Sequence, residues 1–293
     1  MLWLSGLRDR HPWTAPLFYA TPPVLTCVVA LAAATGCAAQ RRCVLATAGF
    51  VLVVVCVWTF VLESFVRGDP REVEGDLRGL LWNTQHGHRG WEQVARQVRE
   101  VDPDVAWLVE GGDGSDGADE LWKRELPGHH LLRMPGGFLV LARGRSEMES
   151  YHPLPARGRA AVVRHEVLGR VFRSVVCDVY GNPFHDRGPS FRRLGELVVD
   201  GDAAPELVLG DFNTPRQSWH WRAWEAQRRH VLEAVGEGYD ATWPLPTPVL
   251  SLDHVWATWR VSLHRAWLGW SLASDHRPVV FEFDLPGDER PRR

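Results

Sequence analysis

Residues 77–283 predict an α/β domain, a two-layered sheet core with helices outside. Two features of the pattern carry this. Strand–helix units open the region, hairpins fill its middle and strands return at its end. Several strands also close on a polar side chain, as strands do when their tips line a site.

Two apolar runs precede the domain. Residues 1–14 form a short lead with Arg8, Arg10 and His11, and residues 15–39 then carry no charge. Gln40-Arg41-Arg42 interrupts, and residues 43–62 are again uncharged and rich in Val, Leu and Ala. Two runs near the ~20 residues that span a bilayer, joined by a charged turn, predict a transmembrane hairpin. A cleaved signal peptide has one apolar stretch, not two in succession. The expected partner of residues 15–62 is therefore the lipid bilayer, and the expected location is a membrane crossed by two helices. Arg8, Arg10, Arg67 and Arg71 flank the hairpin on the domain side, against Arg41 and Arg42 in the turn, which favours a cytoplasmic domain. The expected division is an anchor at 1–65, a charged linker at 66–75, the main domain at 76–286 and a tail at 287–293.

Composition limits the rest. Of the 293 residues 45% are hydrophobic and 24% charged, as in a globular protein and unlike a disordered one. Four of the five cysteines fall between Cys27 and Cys56, so neither a disulfide framework nor a cysteine zinc site follows. Beyond residue 65 there are 29 basic and 34 acidic side chains, a net charge of about −5. Such a domain is an awkward partner for bulk duplex DNA, whose nonspecific affinity rests on basic side chains.

In the domain, residues 77–83 read as a strand ending on Asn83. Residues 91–101 have helical spacing through Val94, Val98 and Val101. Residues 104–110 form a strand ending on Glu110, and 118–126 a helix. Strands at 130–134 and 138–142 flank a Pro-Gly-Gly turn, and 160–166 with 169–179 suggest a hairpin through Leu168-Gly169. A helix at 189–199 leads to a strand from Leu207 that closes on Gly210-Asp211-Phe212-Asn213. Residues 217–235 fit a Trp-rich amphipathic helix, with Trp221 and Trp224 on its buried face and Trp219 on another side. Strands at 252–258, 261–267 and 278–283 complete the chain.

The strand tips supply carboxylates for a hard cation, amides for phosphate oxygens and a histidine beside an aspartate. That inventory fits metal-assisted attack of water on a phosphate ester. His254 follows Asp253 on a strand, so it faces the opposite way and reads as a packed structural histidine. His86, His88, His129 and His130 read as loop surface positions.

The ordered set Trp82-Asn83, Asp104 to Glu110, Gly210-Asp-Phe-Asn213, Leu252-Asp253-His254-Val255 and Ser274-Asp275-His276-Arg277-Pro278 resembles the endonuclease/exonuclease/phosphatase superfamily. The resemblance covers about residues 75–285. It implies a four-layer α/β sandwich, two packed and mostly antiparallel sheets with outer helices, and a divalent metal, Mg²⁺ or Mn²⁺. It also implies roles. Glu110, Asn83 and Asp275 would hold the metal, Asp211 would orient or deprotonate water, and Asn213 would hold a phosphate oxygen. His276 would bind or protonate the phosphoryl group, its tautomer fixed by Asp253. Trp243 lies in a stretch similar to a pocket loop of membrane-anchored members.

Two positions depart from the pattern. Asp178 stands where the family carries a histidine or tyrosine at a strand end, so the missing donor falls to Tyr180 or His185, or Asp178 serves the metal. Val109 replaces the usual glutamine before the metal-binding glutamate. The function implied is hydrolysis of a phosphodiester or phosphomonoester in nucleic acid, a phospholipid headgroup or a small soluble ester. The alternative is a catalytically impaired phosphate- or ligand-binding module of the same fold. No protein partner is implied.

Overall fold

The computed structural model describes residues 6–40, 43–112, 114, 117–198 and 204–285. The first apolar run divides at Pro22-Pro23 into a short helix α1 (Ala15–Ala20) and a longer α2 (Pro23–Ala39). Pro22 is extended and Pro23 opens α2, a position where proline forfeits no helical hydrogen bond. Helix α3 (Cys43–Ser64) follows. Among the described residues only α3 is long and apolar enough to cross a membrane, while α2 has 17 residues. The two pack closely, since a Cβ added at Gly49 would lie 2.9 Å from Ala34 Cβ. The expected span beginning at residue 15 is corrected: α1 rests on the domain, with Phe18 fully buried against Leu250 and Leu252. The expected turn at residues 41–42 and the tail at 287–293 lie outside the described residues.

The stretch expected as a linker starts as a strand. β1 (Phe65–Arg67) pairs antiparallel with Glu237–Tyr239, and Val66 is buried. Past it, Gly68 N donates to Gly236 O at 2.7 Å and Arg71 N to His264 O at 2.7 Å.

The domain continues through β2 (Leu77–Asn83), α4 (Trp91–Val101), β3 (Val105–Val109), α5 (Ala118–Glu125), β4 (His130–Met134) and β5 (Phe138–Ala142). Next come β6 (Gly144–Pro153), β7 (Arg159–Val167), β8 (Arg170–Asp178), α6 (Gly188–Leu197) and β9 (Leu207–Asp211). The last elements are β10 (Arg228–His230), α7 (Val231–Val235), β11 (Glu237–Tyr239), β12 (Asp253–Thr258), β13 (Ser262–Leu268) and β14 (Val279–Asp284). Two six-stranded sheets result, ordered β13-β14-β2-β3-β5-β4 and β10-β12-β9-β8-β7-β6.

Both faces of each sheet are covered, so the central strands are apolar at nearly every position. In β3, Val105, Trp107 and Val109 face the other sheet, while Ala106 and Leu108 face Val94, Val98 and Trp122 of α4 and α5. Across the sandwich, Val176, Leu207 and Leu209 face inward, and Val175 and Val208 pack outward on Phe191, Leu194 and Trp221. This is the four-layer α/β sandwich with mostly antiparallel sheets.

Two differences from the sequence reading have clear causes. Residues 217–235 are not one helix: a 3₁₀ turn (Trp219–Ala223) is followed by β10 and α7. Trp221 and Trp224 are buried as expected, but on the outer face of a sheet, and β10 is held by backbone pairing to β12. Tertiary pairing here overrides helical spacing. β6 escaped notice because it is a half-exposed edge strand without clear alternation.

The two parallel pairs, β2 with β3 and β8 with β9, set which strand ends lie together. In the second pair Cys177 stands opposite Gly210, and a Cβ at Gly210 (φ +151°) would lie 1.9 Å from Cys177 O. Gly210→Ala is expected to destabilise the fold by about 1–3 kcal/mol through overpacking, read as a shift of the denaturation midpoint.

Candidate active site

The parallel pairing brings carboxyl ends of strands from both sheets to one end of the sandwich. Asn83 ends β2, and Glu110 follows β3 with a left-handed φ of +54°. In the other sheet Asp178, Asp211 and Asp253 stand abreast, because Asp211 is the register partner of both Asp178 and Asp253. The 274–278 turn before β14 adds Asp275 and His276. These groups surround a cavity of about 710 Å³. Nine of the ten sequence-predicted residues line it: Asn83, Glu110, Asp178, Tyr180, Asp211, Asn213, Trp243, Asp275 and His276. The tenth, Asp253, is fully buried behind His276.

Hydrogen bonds fix the centre. Asn83 Nδ2 donates to Asp211 Oδ2 at 3.0 Å, and Asn213 N donates to Asp211 Oδ1 at 2.8 Å. Asn213 has φ +49°, and its Nδ2 donates to Val179 O at 2.8 Å. His276 Nδ1 lies 2.8 Å from Asp253 Oδ2, so Nδ1 carries the donated proton and Nε2 is left for the cavity. That Nε2 stands 3.9 Å from Asp211 Oδ2 and 4.0 Å from Asp275 Oδ1. Ser274 Oγ donates to Asn83 O at 2.7 Å and tethers the turn to β2. Trp243 Nε1 donates to Asp275 Oδ2 at 3.1 Å.

The electrostatics follow from crowding acids around one imidazole. Burial pulls His276 down, but Asp253, Asp211 and Asp275 more than offset it and push it up to about 10. Burial, then Asp253, raises Asp211 well above the usual carboxylate range, with His276 working the other way. Asp211, Asp253 and His276 lie close enough to suggest a metal cluster. Their hydrogen bonding argues otherwise, since Asp253 already holds the imidazole proton. Among the oxygen donors lining the cavity, the Glu110 and Asp275 carboxylates with the Asn83 amide oxygen suit a hard divalent cation.

Asp178 is ion-paired. Arg159 Nε and Nη2 donate to its Oδ2 at 3.0 and 2.6 Å. Burial raises Asp178 to about 6 against the pull of Arg159. Arg159 lines the cavity, so the position that lacks a donor in the sequence has a guanidinium beside it. The hairpin turn could have revealed this, because pairing through Leu168-Gly169 sets Arg159 opposite Asp178. His86 remains an exposed loop residue, yet its Nε2 lies 3.6 Å from Glu110 Oε2 at the cavity rim. His254 is buried between His230 Nε2, 2.9 Å from its Nδ1, and Thr214 O, 2.8 Å from its Nε2. Pro16, Tyr19 and Ala20 also line the cavity, and no local signal in the sequence marks them.

Solved structures share this fold. An endonuclease/exonuclease/phosphatase from Beutenbergia cavernae is 21% identical with a TM-score of 0.55, covering 73% of this chain and 72% of its own. A Bacteroides thetaiotaomicron family protein is 16% identical with a TM-score of 0.56, covering 71% of this chain and 98% of its own. The domain has the endonuclease/exonuclease/phosphatase fold. The 3′ phosphatase NExo from Neisseria, solved bound to product DNA hairpin, is also similar, at 20% identity and a TM-score of 0.53, covering 71% of this chain and 99% of its own. No protein-family model and no curated protein matches the sequence.

Removing Arg159 strands the Asp178 carboxylate. Arg159→Met is expected to cost about 1–3 kcal/mol, and adding Asp178→Asn is expected to recover part of it. A double-mutant cycle on thermal unfolding measures the coupling, and additive effects would show that the pair contributes nothing.

Proposed function

We propose that the chain is a membrane-anchored, metal-dependent phosphoesterase that hydrolyses a phosphodiester or phosphomonoester by attack of water. The observation that carries this is the junction of two hydrogen-bonded units in one cavity, Asp253–His276 and Asn83–Asp211–Asn213, beside the Glu110 and Asp275 carboxylates. Structures with this fold include a 3′ phosphatase, which supports phosphoester chemistry here.

Glu110, with Asn83 and Asp275, would hold Mg²⁺ or Mn²⁺. Such an ion supplies charge neutralisation at phosphoryl oxygens. The protein's own groups do the rest. Asp211, held by two donors, orients the attacking water and accepts its proton. Asn213 offers its second amide hydrogen to a phosphoryl oxygen. His276, charged and locked by Asp253, presents Nε2–H to the phosphoryl group. Arg159 adds a second cation on the Asp178 side. Residues 76–286 form the catalytic domain in this reading and residues 1–65 the anchor, with α2 and α3 in the bilayer.

The test uses the full chain in zwitterionic nanodiscs, with a generic phosphodiester and a generic phosphomonoester. Turnover is expected to need Mg²⁺ or Mn²⁺, to vanish with chelator and to fall at least about 100-fold in Glu110→Ala and in Asp253→Asn. Absence of metal-dependent turnover, with Glu110→Ala matching the parent, would favour the impaired binding module. The arginine balance predicts a cytoplasmic domain, so a reporter fused to the C-terminus is expected to work only if it is active in the cytoplasm. Activity of a reporter that works only outside would place the domain on the opposite side.

A further inference from the structure

The cavity is chemically divided. One part is the polar cluster around Asp211 and His276, and another is a wall of Pro16, Tyr19, Ala20, Trp243, Leu250 and Leu252, with the Arg187 guanidinium over the Tyr19 ring. Half of that wall comes from α1, the segment leading into the apolar helices. We propose that this wall is a binding subsite for an apolar group, and that the substrate is an amphiphile, a phosphoester bearing a hydrocarbon portion and drawn from the bilayer. This deepens the phosphoesterase reading and rests on it.

Three observations carry the assignment. The first is that the wall is built in place. Tyr19 OH donates to Asp9 Oδ2 at 3.1 Å, and Asp9 also accepts from Ser218 Oγ at 2.6 Å and Trp219 N at 2.8 Å. The Tyr19 ring lies under the Arg187 guanidinium at 4.3 Å, and Phe18 is buried on Leu250 and Leu252. Burial of the Tyr19 phenol raises it well above its usual range, so it stays neutral beside the cavity.

The second is distance. Ala20 lines the cavity and Pro23 begins α2, so three residues, at most about 11 Å of chain, separate the wall from the first apolar helix. The orientation is fixed on the other side as well. The Glu63 carbonyl near the end of α3 accepts from Arg216 and Gln217, and Asp240 N donates to Ser64 O at 3.1 Å. A helix end thus capped by the domain, with β1 paired to β11, holds the domain on α3 in one pose.

The third is chemical selection. A polar substituent on the phosphate would lose hydration against Pro16, Ala20 and Leu252 without a partner, whereas a hydrocarbon group gains by leaving water there. A substrate that is charged at one end and apolar at the other matches both parts.

The experiment compares binding of two matched pairs to the full chain in zwitterionic nanodiscs with EDTA, using empty nanodiscs as blank. The pairs are dihexanoyl phosphatidic acid against glycerol 3-phosphate, and dihexanoyl phosphatidylcholine against glycerophosphocholine. In at least one pair the acylated member is expected to bind about tenfold or more tighter. Ala20→Asp, at an exposed position where the side chain itself meets no core, is expected to collapse that ratio to about twofold. Ala20→Val is expected to keep it. No acyl preference in either pair, or a preference that Ala20→Asp leaves intact, would overturn the proposal. Binding is read without turnover, so it stands apart from the metal-dependent assay that tests the phosphoesterase reading.

Discussion

Two hydrogen bonds that cross from one sheet to the other hold the site. Asn83 on β2 reaches Asp211 on β9, and His276 before β14 reaches Asp253 on β12. Neither bond can form within one sheet, so the site exists only when the sandwich closes at the right spacing. That spacing is set by aromatic packing between the sheets, where Phe172 of β8 meets Trp107 of β3 and Phe283 of β14. A buried polar chain, Trp107 Nε1 to Ser174 Oγ to His165 to Ser146 Oγ, pins the same region at 2.7–3.0 Å per link. Burial pushes His165 down to about 3, which keeps it neutral and able to both donate and accept. Fully satisfied networks of this kind specify one arrangement of two layers.

The second constraint is the attachment of the apolar helices. A free linker would let the domain tumble relative to those helices. Here the chain leaves α3 as a strand, continues as backbone hydrogen bonds to residues 234–236 and 264, and is clamped by Arg216 between Asp240 and Glu233. At the other end Asp9 and Tyr19 fasten the N-terminal segment to the 3₁₀ turn at Trp219–Ala223 and to Arg187. The Trp-rich stretch therefore serves packing and attachment together. Trp221 and Trp224 fill the outer layer, and Trp219 lies between Arg10 and Arg222 at 4.5 and 3.8 Å.

By itself the sequence determined which polar residues close the strands and gather at one cavity. Asn83, Glu110, Asp211, Asn213, Asp275 and His276 were legible because apolar runs buried on both faces end abruptly in polar residues, and because a period of two separates Asp253 from His254. The partner of Asp178 was legible in principle, since a tight turn at Leu168-Gly169 dictates its register. Only the tertiary structure decided the fate of residues 217–235, where backbone pairing of β10 to β12 outweighs helical spacing. It alone decided that β1 joins the domain and that α1 turns away from the apolar run to wall the cavity. The reason is physical. Local pattern reports which face of a segment avoids water, and Phe18 would avoid it equally well in lipid or on Leu250. Which of those surfaces it meets depends on contacts more than two hundred residues away along the chain.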